Sequence, residues 1–487
     1  MIDIVAKIHD KFSIEFKVGF LVRRKQEHNI FSINTWMFVP NSLDISSQTY
    51  EKNHFYRDVK NYIRLITPVF LLREIAEGET NPLKNLEEVF NKTASEPTRT
   101  AIREYESRIK MFTAIFKSAI RNEVVHLLNN HIKDDMDYLV STYVESLRGI
   151  LLKYRNLRRI INVPTISTEH LNYYFFADEY ISDLVDQRTG YLVGFLQAKD
   201  SRKYQQSITL LSTLWHEEAT YRKEQGYISV GKDNPVKNNE FIFRRSILKK
   251  YVESDLFLRA RKRREGVIVE QIYYSIAAGL SMIFATGIAF SFQKSYGNFT
   301  MPLFIALVVS YMLKDRIKEL MRYYFAHKRL NRYFDHKTEI GIKDTTIGWI
   351  KEGVDFITEE KVPREIMHWR CRSPLVEAEN RITDEKIILY RKLVFLDREK
   401  INNNCDYPIA GINDIMRFHL SRFMQKTDNP DEAIYCLNEE GLSIEFFGEK
   451  VYYVNIVMQL KFEDHIDYKR FRVAFTQAGI TNLEELS

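Results

Sequence analysis

The chain has 487 residues, 28% of them charged and 45% hydrophobic, with a formal net charge of only +6. Its mean hydropathy is −0.32, so most of it reads as ordinary globular protein with room for two to four domains. A charge this small for this length, with much of the basic excess in two clusters, argues against a nucleic-acid binder, and no nucleic acid is expected as a partner. Three cysteines, Cys371, Cys405 and Cys436, form no Cys-x-x-Cys pair and suggest a reducing compartment without a disulfide framework. The opening Met1-Ile2-Asp3-Ile4-Val5 lacks the basic and apolar regions of a secretory signal.

Taken in chain order, Phe12 to Val22 alternates apolar and polar residues, the period of a half-buried strand, and Ile30 to Val39 reads as its hairpin partner. A helix is expected over about Tyr50 to Glu77, bent at Pro68. With that helix, residues 1–95 form a first segment. From Pro97, two seams step by three and four: Ile102, Tyr105, Ile109, Phe112, Phe116 and Ala119, then Val140, Tyr143, Leu147, Ile150, Tyr154, Leu157 and Ile161. Such seams suggest a long antiparallel helical hairpin. Further helices over about Thr168 to Gln197 and Ser201 to Gln225 complete a bundle over 96–238.

A third segment, 239–334, comprises a basic helix running straight into two apolar stretches, about 267–292 and 299–313, and an amphipathic exit helix to about Phe334. The first stretch holds about 22 uncharged residues, roughly 33 Å of helix, which matches a hydrocarbon core of ~30 Å. The second holds about 15 before Lys314, roughly 22 Å, and spans only if the bilayer thins or its flanks snorkel. Ala277, Ser281, Ala285 and Ala289 recur every four residues, with Gly279 and Gly287 on an adjacent strip. Small residues at that spacing let a second helix approach closely in lipid, either the other stretch through Ala306 and Ser310 or another copy. Arg261, Lys262, Arg263 and Arg264 precede the pair, and Lys314 and Arg316 follow it, against the single Lys294 between them. The positive-inside rule then puts both flanks and both termini in the cytoplasm, facing anionic headgroups. A buried helical hairpin of a soluble protein is the alternative, but such a helix usually carries a polar stripe and Tyr273 to Phe292 has none.

Residues 335–487 turn strand-rich, with strands expected at 345–350, 354–358, 386–397, 432–437, 442–447, 450–462 and 468–476 and one helix at about Ile409 to Met424. The expected fold is therefore an α+β membrane protein: a helical N-terminal cytoplasmic domain with a β-hairpin, a two-helix transmembrane hairpin and a β-rich C-terminal cytoplasmic domain.

Chemistry is hard to find. Neither phosphate-cradling glycine motif is present. Trp215-His216-Glu217-Glu218-Ala219-Thr220 starts like a zinc-protease helix but has Thr220 where the second histidine belongs. His368 and Cys371 sit three apart with no second ligand pair, His126 and His131 bracket a turn, and Glu377, Glu379, Asp384 and Glu385 read as a solvated acidic loop. No catalytic, metal or cofactor residue is assigned, and no cofactor is expected. The strings Phe38-Val39-Pro40-Asn41-Ser42-Leu43-Asp44, Phe55-Tyr56-Arg57-Asp58-Val59-Lys60 and Ser310-Tyr311-Met312-Leu313-Lys314-Asp315-Arg316-Ile317-Lys318-Glu319-Leu320 resemble a group of bacterial proteins of similar length with a central two-span segment and no assigned activity. The resemblance implies a bacterial origin and an inner-membrane setting. The leading expectation is a membrane-tethered scaffold or signal transmitter working through a lipid bilayer and a homo-oligomer or protein partner. A membrane-associated enzyme with a site assembled from distant residues, and an oligomeric pore or membrane-disrupting effector, are the rivals.

Overall fold

The computed structural model describes residues 2–23, 26–77, 81–130, 132–232, 234–297, 300–328, 334–375, 377, 385–428, 431–439 and 441–486. The chain opens with three strands, β1 (Ile2–Asp10), β2 (Ser13–Leu21) and β3 (His28–Val39), then a short helix α1 (Lys52–Asp58) and β4 (Val59–Leu65). Seven helices follow: α2 (Pro82–Ser95), α3 (Arg99–Asn129), α4 (Lys133–Asn156), α5 (Arg158–Ile161), α6 (Thr168–Asp200), α7 (Gln205–Glu224) and α8 (Pro235–Glu253). Next come the edge strand β5 (Arg259–Arg264), the long helices α9 (Val267–Tyr296) and α10 (Met301–Lys328), and strands β6 (His336–Ile342) and β7 (Thr345–Ile357). Helix α11 (Arg364–Arg370) leads to β8 (Lys386–Asp397) and β9 (Gly411–His419). The chain ends with β10 (Asp431–Leu437), β11 (Ser443–Glu449), β12 (Tyr452–Phe462), β13 (His465–Thr476) and β14 (Gly479–Leu486).

These elements form two compact units. One comprises residues 1–63, 259–406 and 411–487, the other 64–258 and 407–410. The first is a two-layered β unit. An antiparallel eight-stranded sheet, ordered β14-β13-β12-β3-β8-β7-β6-β5, is faced by a four-stranded sheet ordered β1-β2-β9-β4. The core between them comes from the alternation of β2, whose Ile14, Phe16, Val18 and Phe20 are all buried. Phe16 meets Phe471 edge-on at 5.4 Å, and Phe20 meets Phe31 at 5.2 Å. Gly411, at φ 151°, opens β9 where a Cβ would lie 1.9 Å from the Phe20 carbonyl oxygen, so the backbone conformation and the close approach both call for glycine.

The helical unit is a bundle built on α3 and α6, of 31 and 33 residues. Its seams are as the periodicity suggests: Tyr105, Ile109, Phe112 and Phe116 on α3 and Val140, Tyr143, Leu147, Ile150 and Tyr154 on α4 are buried. They do not close chiefly on each other. The main neighbour of α3 is α6 and that of α4 is α7, and the stacked rings of Phe112, Tyr154 and Tyr174 tie α3, α4 and α6 together.

Several expectations need correction. Strand β2 does not pair with β3: it pairs with β1 and β9, while β3 lies inside the larger sheet between β12 and β8. N-terminal strands thus sit in the same two sheets as C-terminal ones. The expected helix over Tyr50 to Glu77 is reduced to α1 and a 3-10 turn at Leu72–Ile75, and Val59–Leu65 is strand because Val59, Ile63 and Leu65 alternate into the core beside β9. The expected helix over Ile409 to Met424 is β9 followed by a single turn, Ser421–Met424, since Ile412, Met416 and Phe418 fit period two once β2 lies alongside. The basic helix does not run straight into the first apolar stretch either: α8 stops at Glu253, and Arg261 to Arg264 lie on β5, paired with β6.

The two-span membrane architecture is not supported. Among the described residues only one helix, over Glu270–Tyr296, is long and apolar enough to cross a membrane, and the two large sheets have the buried cores and mixed surfaces of soluble layers. The physical reason lies in how α10 runs. Ser310 Oγ donates to the Ala285 carbonyl at 3.2 Å, and the Arg322 guanidinium sits 4.7 Å from the Tyr274 ring centre, so the helices are antiparallel with that register. Lys314, Asp315 and Arg316 then fall beside the middle of α9, where a spanning pair would need hydrocarbon. The uncharged length shared by both helices is about 13 residues, or roughly 20 Å. The exit helix expected to continue to Phe334 runs partly outside the described residues, α10 being described to Lys328.

Candidate functional site

The α9–α10 hairpin is an insertion between two strands that pair directly, Arg264 opposite His336, so the chain leaves the β unit and returns at one place. Its packing is inverted relative to a helical hairpin in water. Ala277 is 0% and Ser281 2% exposed, while Ile268 is 76%, Ile283 69%, Phe290 71% and Met301 72% exposed. Ala306 and Ser310 of α10 are buried as well, and Phe304, Ile305, Tyr311 and Met312 face outward. Small side chains thus fill the seam and large apolar ones cover the surface, far beyond the scattered exposure normal for a soluble protein. Ala285 and Ala289 are half-buried, whereas Gly279 and Gly287 are exposed, with open space where a Cβ would stand.

The foot of the hairpin is tied to the β unit by charge. Asp335 accepts from Lys52 Nζ at 3.1 Å, from the Tyr56 hydroxyl at 2.9 Å and from the Val354 amide at 2.8 Å, and its carbonyl accepts from the Glu265 amide at 3.0 Å. Glu265 pairs with Lys351, and Arg264 lies 3.8 Å from Glu270 on the first turn of α9. Of the basic residues singled out from sequence, Lys262 bridges to Glu352 at 3.1 Å and lies over the Tyr56 ring, while Arg261 and Arg263 are exposed and make no ion pair among the described residues. Lys314, half-buried, lies over the Tyr311 ring on α10, and Arg316 is exposed.

Behind the foot, the β unit encloses a charged cluster that no motif announces. Lys392 on β8 is 5% exposed and is bonded to Asp414 on β9, with Glu352 on β7 at 3.5 Å. Glu352 also accepts from Tyr390 at 2.9 Å and from Asn61 at 2.5 Å. Burial opposes charge on Glu352, but Lys392 and Lys262 outweigh it and hold its carboxyl below the usual range. Burial dominates at Asp414 and pushes its carboxyl up; Lys392 remains a strong base because its two carboxylates outweigh its desolvation.

The helical unit carries a second polar concentration. Glu218, 2% exposed, accepts from Arg155 at 2.7 Å and from Ser182, and Asp178 accepts from Tyr221 at 2.8 Å and Tyr227 at 2.7 Å. Beside it a cleft of about 460 Å³ is lined by Arg148, Arg155, Arg158, Arg159, Leu214 and Glu217, among others. Glu217 grips Arg148 through two bonds, and Arg158 lies over the Phe175 ring. Asp183 is nearly buried; Arg245 Nε lies 2.9 Å from it, and desolvation raises its pKa to about 6.

The weaker sequence candidates are absorbed by packing. Trp215 donates to Asp186 at 2.8 Å, and both Glu217 and Glu218 are ion-paired. Trp369 stacks on Tyr468, Arg370 bridges to Glu385 at 2.7 Å, and Cys371 caps α11 in the left-handed region. Glu377 and Glu385 both pair with Arg372, which carries a raised pKa. Glu379, Asp384 and His131 lie outside the described residues. Among the described residues, no group of three His, Cys, Asp or Glu side chains could hold a metal ion. Against this geometry, comparison with known proteins offers no guide: no family model, no curated protein and no solved structure matches the chain.

Proposed function

We propose that the chain is a membrane-associated scaffold. The apolar α9–α10 hairpin embeds in one face of a bilayer and holds the β unit and the helical unit at that surface for contacts with other proteins. The observation that carries this reading is the inverted packing of the hairpin, with Ala277, Ser281, Ala306 and Ser310 inside and Ile283, Phe290, Met301 and Phe304 outside. In water that arrangement exposes what the hydrophobic effect buries; in lipid it is the stable one. An oblique, interfacial pose suits the charges, because Lys294 at the tip and Lys314 and Arg316 beside the middle of α9 can then all reach headgroups. Entry and exit at paired strands keep both termini on one side. The basic flank favours an anionic cytoplasmic leaflet, and the resemblance noted above favours a bacterial inner membrane.

Flotation with phosphatidylcholine vesicles containing a fifth phosphatidylglycerol tests the reading. The intact protein floats with the vesicles, and the variant Ile283→Asp/Phe290→Asp/Ile305→Asp stays at the bottom with an unchanged circular dichroism spectrum. Equal flotation of the two proteins would remove the hairpin from the account.

A further inference from the structure

The strands β10 and β11 form a two-stranded sheet of their own, outside both large sheets, and every residue of β10 and six of the seven in β11 are exposed. Ile434, Tyr435, Leu437, Ile444, Phe446 and Phe447 therefore face water on an arm that has no third strand. An isolated hairpin is marginal in water and its free edges are templates for pairing. The arm is also acidic: Asp431, Glu432, Glu439, Glu445 and Glu449 lie within the described part of it, which contains no Lys or Arg.

Of the edge strands of the two large sheets, β1, β4, β5 and β14, it is β5 that carries a dense opposite charge. Strand β5 ends the eight-stranded sheet, all six of its residues are exposed, and five are Arg or Lys. Alternation puts Arg259, Arg261 and Arg263 on one face and Lys262 and Arg264 on the other, where Lys262 already serves Glu352. On β11, Glu445, Phe447 and Glu449 share one face at the same spacing.

We infer that β11 of one copy adds antiparallel to β5 of a second copy. Glu445 then faces Arg263, Phe447 packs on Arg261 and Glu449 faces Arg259, which exchanges its exposed contacts with Asp344 at 3.3 Å and the Lys343 carbonyl at 3.1 Å for a cross-strand pair. This is edge addition with the main chain supplying affinity and the charges fixing register. The arm roots at β12 and the acceptor is β5, five strands away in the same sheet, so the contact is heterologous and propagates into rows or rings rather than closing as a dimer. The acidity of the arm disfavours an anionic lipid surface as its occupant.

This inference stands apart from the membrane reading, so its test is run in nonionic detergent micelles, where no bilayer is present. Sedimentation velocity of the full chain shows concentration-dependent association that weakens with added salt. Glu445→Arg/Glu449→Arg and Arg259→Glu/Arg263→Glu each weaken it about tenfold or more, by placing like charges opposite one another. Mixing the two variants restores association, because each reversed surface then meets its complement. Association that ignores both reversals, or no association of the unaltered chain, overturns the proposal. So does loss of vesicle flotation in the arm variant with self-association intact, which would make lipid the occupant.

Discussion

Lys392, Glu352 and Asp414 show what a single sequence conceals at the scale of the residue. Each follows another charged or polar residue, Arg391, Lys351 or Asn413, inside a strand-like run, and nothing in the local pattern marks it as the more deeply buried of the two. Three strands must be brought into two facing sheets before the charges meet, and no spacing along the chain encodes that. In the acidic loop, Glu377 stays exposed as its sequence suggests, whereas Glu385 is drawn in by Arg370 and Arg372. In the helical unit, Asp183 carries a pH signature. Its folded-state pKa, about 6, lies above the ordinary carboxylate value, so between about pH 4 and pH 6 the folded chain holds a proton that the unfolded chain has released. Stability contributed through this group therefore falls as pH rises through that window. Asp183→Asn should remove this part of the slope, read from hydrogen exchange of α6 amides at pH 4 and pH 6. An unchanged slope would mean that the carboxyl is already ionised at pH 4.

At the scale of the element, strongly periodic helices were legible and edge elements were not. The seams of α3 and α4 follow directly from residues three and four apart, whereas β5 hides in a basic string that resembles a helix flank, and β4 and β9 hide in windows where period two and period 3.6 both fit. Pairing with a neighbour decides such cases. The hairpin itself was visible as two apolar stretches, but the register that sets Lys314 beside the middle of α9 is a tertiary fact. That register makes a sharp prediction about the seam. Ala277→Leu forces a large side chain between α9 and α10 and should destabilise the hairpin by about 1–3 kcal/mol. Gly279→Leu, two residues away with open space around it, should change stability little. Proteolytic cleavage rates within 267–328 distinguish them, and equal rates would contradict the packing described here.

For the whole molecule, the inserted hairpin relates two surfaces of one β unit: an apolar projection suited to lipid and, on the sheet it springs from, a basic edge suited to an acidic strand. The scaffold role proposed for the chain is one carried by these two surfaces. That role depends first on the hairpin meeting lipid. The direct measurement is the emission of an environment-sensitive fluorophore attached to a single cysteine at Ile283, in a chain whose Cys371, Cys405 and Cys436 are replaced by serine, with Tyr138 of the helical unit as the control site. On adding anionic vesicles, emission from position 283 should shift to the blue and become quenchable by spin-labelled lipid, while that from position 138 stays as in buffer. A probe at 283 that remains in water while the protein is bound to vesicles, or that behaves like the probe at 138, would contradict the account.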